Sequence, residues 1–387
     1  MKKVLWLASW YPNKLQPFTG DFIQRHAMAV SHYQPVHVVF VVKDGAGRFT
    51  LDVKIEQHEH PNLTEVIAYY KPLKSGLAVL DKILSIIKYF RVNLQLISSF
   101  RKEYGRPVLV HVQVALWAGI LALWLKKRFG TRYIVTEHWT GYHKTSLDNI
   151  YKRGFLFRKL TSLVLREADM LLPVSRQLGE VINESLGNIP FHVVPNAVNT
   201  GFFRYEAFNS TQFRFIHVST MNYQKNMEGI LKVLARLLAH DQNWRLAAIG
   251  PAGKELKTYA TSLGLDNHIQ WKGELSYEQV AVEMRRSSAM IMFSRYENMP
   301  CVILEAQCCG LPVIATSVGG IPEVVSRDNG ILVASGDEDQ LLKAISSLIK
   351  QEVVFNRQQT ANNALRKYSY NIVGKQVTNI YDHILQS

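Results

Sequence analysis

Two glutamates, Glu297 and Glu305, bracket the stretch of the chain best equipped for chemistry, SRYENMPCVILEAQCCGLPVIAT at residues 294–316. Pro300 suits the first helical position, where its missing N–H is no loss and its fixed φ fits the turn. Asn298 or Met299 then precedes it as the cap, Asn being the better of the two. Residues 301–309 carry no helix breaker and are apolar nearly all round, which predicts a buried helix stopped by Gly310 and Pro312, with a short strand at 313–316. Glu297 falls in the loop ahead of that helix, and Glu305 sits roughly 7–8 Å along it at ~1.5 Å per residue. Helical side chains lean toward the N-terminus, so Glu305 points back at the opening that Glu297 borders. The same opening presents unpaired backbone N–H groups and the positive end of a helix dipole, which suit a phosphate. A phosphate with a hydroxyl-binding carboxylate on either side describes a nucleotide sugar. The plainer alternative makes Glu297 a surface acid and Glu305 a rim residue, but an ionised Glu inside an apolar helix needs a partner.

The pattern Glu, seven residues, Glu, then A-x-x-x-G-x-P-V-I-A-T resembles the donor-site signature of the retaining glycosyltransferases of family 4, glycosyl transferases group 1, which have the GT-B fold. The resemblance implies that Glu297 contacts the donor sugar, that the backbone around Asn298, Met299, Pro300, Cys301 and Val302 holds the diphosphate, and that Glu305 binds the ribose. It also gives meaning to residues elsewhere. Gly20, ahead of a predicted amphipathic helix, corresponds to a Gly-rich loop facing the diphosphate, although this chain has one Gly where many members have two. His138 in TEHW, at the carboxyl end of a predicted strand, matches a His that contacts the donor sugar. Lys225 matches a Lys that neutralises the leaving diphosphate, whereas the accompanying Arg is Thr220 here, with Arg295 a nearby substitute. Gly250 falls near the nucleotide. ADMLLPVS and VVPNAVNTGFF also fit the family, but its usual Asp is Asn199, so no role is carried onto that residue. Asp337 and Asp339 form a DxD, yet they precede a predicted helix and suit its cap and acidic first turn. The family needs no metal for its chemistry, so neither metal nor cofactor is expected beyond the donor.

Composition sets the wider bounds. A chain of 387 residues with 47% hydrophobic and 20% charged residues can bury two cores. All three cysteines fall between residues 301 and 309, which favours reduced thiols in a buried helix, and so a cytoplasmic protein, over a disulfide framework or a metal cluster. The net charge of +14 is lopsided: residues 1–200 hold 26 Lys and Arg against 14 Asp and Glu, and the rest hold 19 against 17. Such a half suits an anionic partner, or is a solvated basic face. Within it, Lys144, Lys152, Arg153, Arg158, Lys159 and Arg166 interleave with Tyr151, Phe155, Leu156 and Phe157, as in a surface helix resting on anionic lipid. The apolar run at 108–125 is long enough to span a bilayer, but its opening alternation predicts a strand followed by a buried helix. MKKVLWLASWYP lacks a small-residue cleavage site and reads as a first strand.

Strands are predicted at 4–8, 36–42, 108–112, 133–136, 170–174 and 192–194, with a second strand-helix series beginning at Phe213. This alternation predicts a doubly wound parallel α/β sheet, and the family resemblance implies an α/β protein of GT-B type, with two Rossmann-like domains facing each other across a cleft. Residues 1–197 bind the acceptor, residues 198–367 bind the nucleotide sugar, and a returning helix at 368–387 crosses back to the first domain. The function expected is retaining transfer of a hexose from a UDP- or GDP-sugar to a glycan or lipid-linked acceptor, with nucleic acid not expected as a partner. In such chemistry the acceptor hydroxyl approaches on the leaving-group face, and the donor phosphate takes its proton. A nucleotide-sugar epimerase of the same architecture and a non-catalytic nucleic-acid- or membrane-binding protein are the alternatives. A dinucleotide-dependent oxidoreductase lacks its GxGxxG after the first strand.

Overall fold

The computed structural model describes residues 3–73, 75–208 and 212–386, and it divides into two parallel-sheet layers with helices on both faces. The first sheet is built from β1 (Val4–Ala8), α1 (Asp21–Ser31), β2 (Val36–Lys43), β3 (Val53–His60), β4 (Leu63–Tyr70), α2 (Ala78–Tyr104), β5 (Val110–Gln113), α3 (Ala118–Phe129), β6 (Tyr133–Glu137), α4 (Phe155–Arg166), β7 (Met170–Pro173) and α5 (Arg176–Leu186). Its strand order is β3-β4-β2-β1-β5-β6-β7, parallel throughout except for β3, which runs antiparallel to β4 at the edge. The second comprises β8 (Phe213–Val218), α6 (Met227–Leu238), β9 (Trp244–Ile249), α7 (Lys254–Ser262), β10 (Ile269–Gly273), α8 (Tyr277–Arg285), β11 (Ala289–Met292), α9 (Cys301–Cys308), β12 (Val313–Thr316), β13 (Gly330–Val333), α10 (Glu338–Ile349) and α11 (Arg357–Tyr368). Its order, β10-β9-β8-β11-β12-β13, reverses direction between β8 and β11. Ligands of open α/β sheets bind outside the strands' carboxyl ends at such a reversal.

Central strands such as β1 and β5 are buried at every position, as a parallel sheet covered on both faces requires. The apolar run at 108–125 accordingly becomes β5 plus the buried start of α3. No helix among the described residues is long and apolar enough to cross a membrane.

The last helix, α12 (Tyr370–Gln386), leaves the second layer and packs on α1 of the first. Val373, Val377, Tyr381 and Ile384 repeat at helical spacing and are buried in the first layer's core, each contributing roughly 1.5–3 kcal/mol of burial. The crossing point is a backbone bridge between Val198 and Ser369.

Two features depart from the sequence expectation. The β3–β4 hairpin lies in a stretch given no strand, because VKIEQHEH is polar and solvent-exposed at an edge. Residues 192–194 form no strand. His192 and Val194 only donate backbone hydrogen bonds to Leu171 and Pro173, and the flanking Pro190 and Pro195 have no N–H with which to extend the ladder.

Candidate active site

The carboxyl ends of the two sheets face each other across a cleft of about 400 Å³. Loops after β1, β6 and β7 line one wall, and loops after β8, β9, β10 and β11 line the other.

The C-terminal wall is built around α9. Pro300 is itself the N-cap, with ψ 120, so the helix begins at Cys301, one residue later than expected. Asn298 provides no cap because its side chain spans the cleft: Nδ2 donates to the His138 carbonyl at 2.7 Å, and Oδ1 lies 2.6 Å from His143 Nε2. The amides of Cys301 and Val302 have no acceptor within the helix, and both residues line the cleft, as do Met299 and Pro300. Burial pushes the Cys301 thiol up to about 12, so it stays protonated and is no nucleophile.

Glu297 is 4% exposed. One of its oxygens accepts from Lys225 Nζ, and the other accepts from Gln224 Nε2 at 3.3 Å. Gln224 also donates to the Tyr296 carbonyl at 2.9 Å, which fixes the loop that carries the carboxylate. Gly319 closes this loop from behind. Its φ of 54 is left-handed, and a Cβ there would sit 1.7 Å from the Glu297 carbonyl oxygen, so only glycine fits. Lys225 ends a single 3-10 turn, Tyr223–Lys225, whose N-cap Asn222 accepts from the Lys225 amide. Thr220 and Gly250 line the cleft beside it.

Glu305 is 1% exposed and points into the same cleft as Glu297. Its partner is Arg25 of α1, from the opposite domain, whose other terminal nitrogen donates to Asp21 at 2.6 Å. Tyr277 donates to the same Asp21 oxygen, and its ring lies 4.4 Å from the guanidinium. Burial pushes the Glu305 carboxyl up, and the Arg25 charge works against that rise.

On the N-terminal wall, His138 follows β6 directly, and its Nε2 is buried without a hydrogen-bond partner among the described residues. Burial holds the imidazole well below its usual range, so it is neutral and free to give or take one hydrogen bond. Its main chain is braced by Glu137, which accepts from the amides of Ala115, His138 and Trp139 and from the Tyr142 hydroxyl at 2.8–3.0 Å. Asn196, in the VPNAV turn, donates to the Met299 carbonyl at 2.7 Å, while its Oδ1 is buried and unpartnered at the cleft.

Of the residues singled out from the sequence, His138, Thr220, Lys225, Gly250, Glu297, Asn298, Met299, Pro300, Cys301, Val302 and Glu305 come together around one cleft. Gly20 and Arg295 do not line it. Gly20 is the left-handed N-cap of α1, pressed on the Trp10–Tyr11 backbone, where a Cβ would meet Tyr11 N at 2.7 Å. The guanidinium of Arg295 stacks on Tyr223 at 4.1 Å and borders a neighbouring cavity instead. Asp21, Arg25, Asn196 and Tyr277 were not foreseen. Asn196 sits inside a motif the sequence does display, whereas nothing local marks Arg25. Asp337 caps α10 through the Gln340 amide, and Asp339 pairs with Arg236, so the DxD is a helix start.

Comparison with known proteins supplies the family and the fold. Residues 36–202 match the family model described as Glycosyltransferase Family 4, and residues 200–369 match Glycosyl transferases group 1. An uncharacterized glycosyltransferase of Methanocaldococcus jannaschii is 28% identical over 63% of this chain and 66% of its own length. One subunit of the Arabidopsis thaliana phosphatidylinositol N-acetylglucosaminyltransferase is 24% identical over 68% of this chain and 59% of its own. The chain thus spans a little under two thirds of both relatives. Among solved structures, Anabaena HepE in complex with UDP superimposes with a TM-score of 0.73 at 16% identity, covering 99% of this chain and 100% of that one. The chain belongs to the group 1, family 4 glycosyltransferases and has the GT-B fold.

Proposed function

We propose that the protein is a retaining glycosyltransferase that moves a hexose from a UDP- or GDP-sugar to a glycan or lipid-linked acceptor in glycoconjugate or surface polysaccharide synthesis. One observation carries this reading: Glu297 paired with Lys225, and Glu305, converge on the first turn of α9 within a single interdomain cleft. The amides of that turn and Lys225 would hold the diphosphate. Glu297, neutral His138 and the free oxygen of Asn196 would position the sugar, and Glu305 the ribose. In the reaction the acceptor oxygen bonds to the anomeric carbon on the face the diphosphate leaves, and its proton passes to the departing phosphate oxygen. No metal or cofactor is part of this proposal. Two relatives lend support by name: HepE was crystallised with UDP, and the Arabidopsis protein is named for transfer to phosphatidylinositol.

A peripheral position on the cytoplasmic face of an anionic membrane belongs to the same proposal. Phe155 and Leu156 of α4 are 71% and 67% exposed beside Arg158 and Lys159, and Leu80, Ile83 and Ile87 stand exposed on α2. An apolar ridge with cations beside it is the arrangement that holds a helix at a lipid surface, each cation adding about 1 kcal/mol.

The test is incubation with UDP- and GDP-hexoses, with and without vesicles carrying a lipid-linked saccharide. The expected result is release of nucleoside diphosphate that depends on acceptor, with a product that keeps the donor's anomeric configuration. An inverted product would remove the retaining assignment. Conversion of donor to an isomer without acceptor would replace transferase by epimerase.

A further inference from the structure

A diphosphate at the first turn of α9 needs cations around it, and the cleft is short of them. Among its described lining residues are four acids, Asp21, Glu274, Glu297 and Glu305, and two cations, Lys225 and Arg25. Lys225 is already bound to Glu297. Thr220, in the loop after β8, contributes only a hydroxyl, and Arg295 is turned away onto Tyr223.

Arg25 is the remaining charge, and its setting is built rather than incidental. Its side chain is 9% exposed, one terminal nitrogen donates to Asp21 and the other to Glu305. The Tyr277 ring backs the guanidinium at 4.4 Å. A guanidinium has five N–H donors in a rigid fork, so two carboxylate contacts aim it without exhausting it. Burial opposes its charge, but Glu305 and Asp21 more than offset that, so it stays a cation inside the cleft.

We propose that Arg25 is the second cation of the donor diphosphate, supplied from the N-terminal domain where the C-terminal domain offers only Thr220. The proposal rests on the donor reading of the cleft. Glu305 then has two roles, one oxygen aiming Arg25 and the other accepting from the ribose. As the anomeric carbon–oxygen bond breaks and the acceptor–carbon bond forms, negative charge builds on the departing phosphate oxygen until it takes the acceptor's proton. Arg25 donates hydrogen bonds to the diphosphate and neither gains nor loses a proton. Because the cation and the α9 turn belong to different domains, the diphosphate bridges the two halves, and a nucleoside without phosphates does not.

The experiment is calorimetric titration of the full chain with UDP, GDP, uridine and guanosine. The variants are Arg25→Met, Arg25→Lys, and Arg25→Met combined with Thr220→Arg. Arg25→Met is expected to weaken the preferred diphosphate by about tenfold more than its nucleoside, which shares only the loss at Glu305, the scale of one lost charge-assisted hydrogen bond. Thr220→Arg in the same chain should recover most of the diphosphate affinity and of the turnover. Equal weakening of nucleoside and diphosphate, or an unchanged diphosphate affinity, overturns the proposal. If Arg25→Met does not fold, Arg25→Lys decides: a loss confined to the diphosphate supports the role, and an equal loss for both ligands overturns it. A wild-type protein that binds neither UDP nor GDP would instead bring down the donor reading itself, and this inference with it.

Discussion

Replacing Glu297 by Gln or Lys225 by Met is expected to lower the turnover of sugar transfer by about a hundredfold to a thousandfold, the cost of losing one preorganised stabiliser at a charged transition state, about 3–4 kcal/mol. The two substitutions should differ in how the loss divides. In the proposed reaction Lys225 would face charge that grows as the diphosphate leaves, so Lys225→Met should fall mainly on kcat. Glu297 would hold sugar hydroxyls in ground and transition states alike, and its loss should raise KM as well. Both variants also break an ion pair whose side chains are 16% and 5% exposed, and truncating one member of a buried pair costs about 3–5 kcal/mol of stability. The amide and the thioether are chosen to keep volume while removing charge. Steady-state kinetics alongside thermal unfolding separates the two effects. Near-normal transfer by both variants would remove Glu297 and Lys225 from the site.

Acidification should unfold the protein well above the usual carboxylate range. Burial lowers His26, His37 and His217 to about 4, and His111 and His138 fall well below their ordinary value for the same reason. All five are therefore neutral in the fold and titrate near 6.5 in the unfolded chain. Between pH 6.5 and about 4 the unfolded state binds more protons, so stability falls as pH falls through that window. Each histidine costs about 1.4 kcal/mol per pH unit there, or about 2 kcal/mol by pH 5. Several together are comparable with a whole domain's roughly 5–15 kcal/mol. Glu137 and Glu305, whose carboxyls are pushed up by burial, act in the opposite sense above 4.5, and burial lowers His143 as well, so the histidines outnumber them. Melting temperature measured at pH 7.5, 6 and 5 should be level above 7 and drop steeply below 6.5. A flat profile down to pH 5 would show that these histidines are not held neutral.

The parts of the site that were legible in the sequence are those where chemistry and helix geometry coincide within a few residues. Glu297, the helix start just after Pro300 and Glu305 lie on one continuous segment, so a rise per residue and a side-chain tilt suffice to aim both carboxylates. His138 was singled out because it ends a buried strand where the family resemblance places a His. Arg25 was not, since its partner Glu305 is 280 positions away and only the docking of two domains brings them together. The same limit explains Asn298, read as a helix cap, which instead bonds to His138 and His143 across the cleft. Arg295 misled because nearness in sequence to Glu297 says nothing about which side of a loop a side chain takes. For the fold, strands buried on both faces announced themselves by continuous apolar runs. The β3–β4 hairpin did not: β3 is exposed and its side chains answer to solvent, while β4, buried at all eight positions, has its apolar run broken by Thr64 and Glu65.

The most direct test of the account is diffraction from crystals grown with a UDP- or GDP-sugar that binds. The diphosphate should lie within hydrogen-bond distance of the Cys301 and Val302 amides and of Lys225, with a ribose hydroxyl on Glu305 and the sugar between Glu297 and His138. A nucleotide found instead in the larger cavity beside Tyr223 and Tyr259, with the first turn of α9 bare, would contradict it.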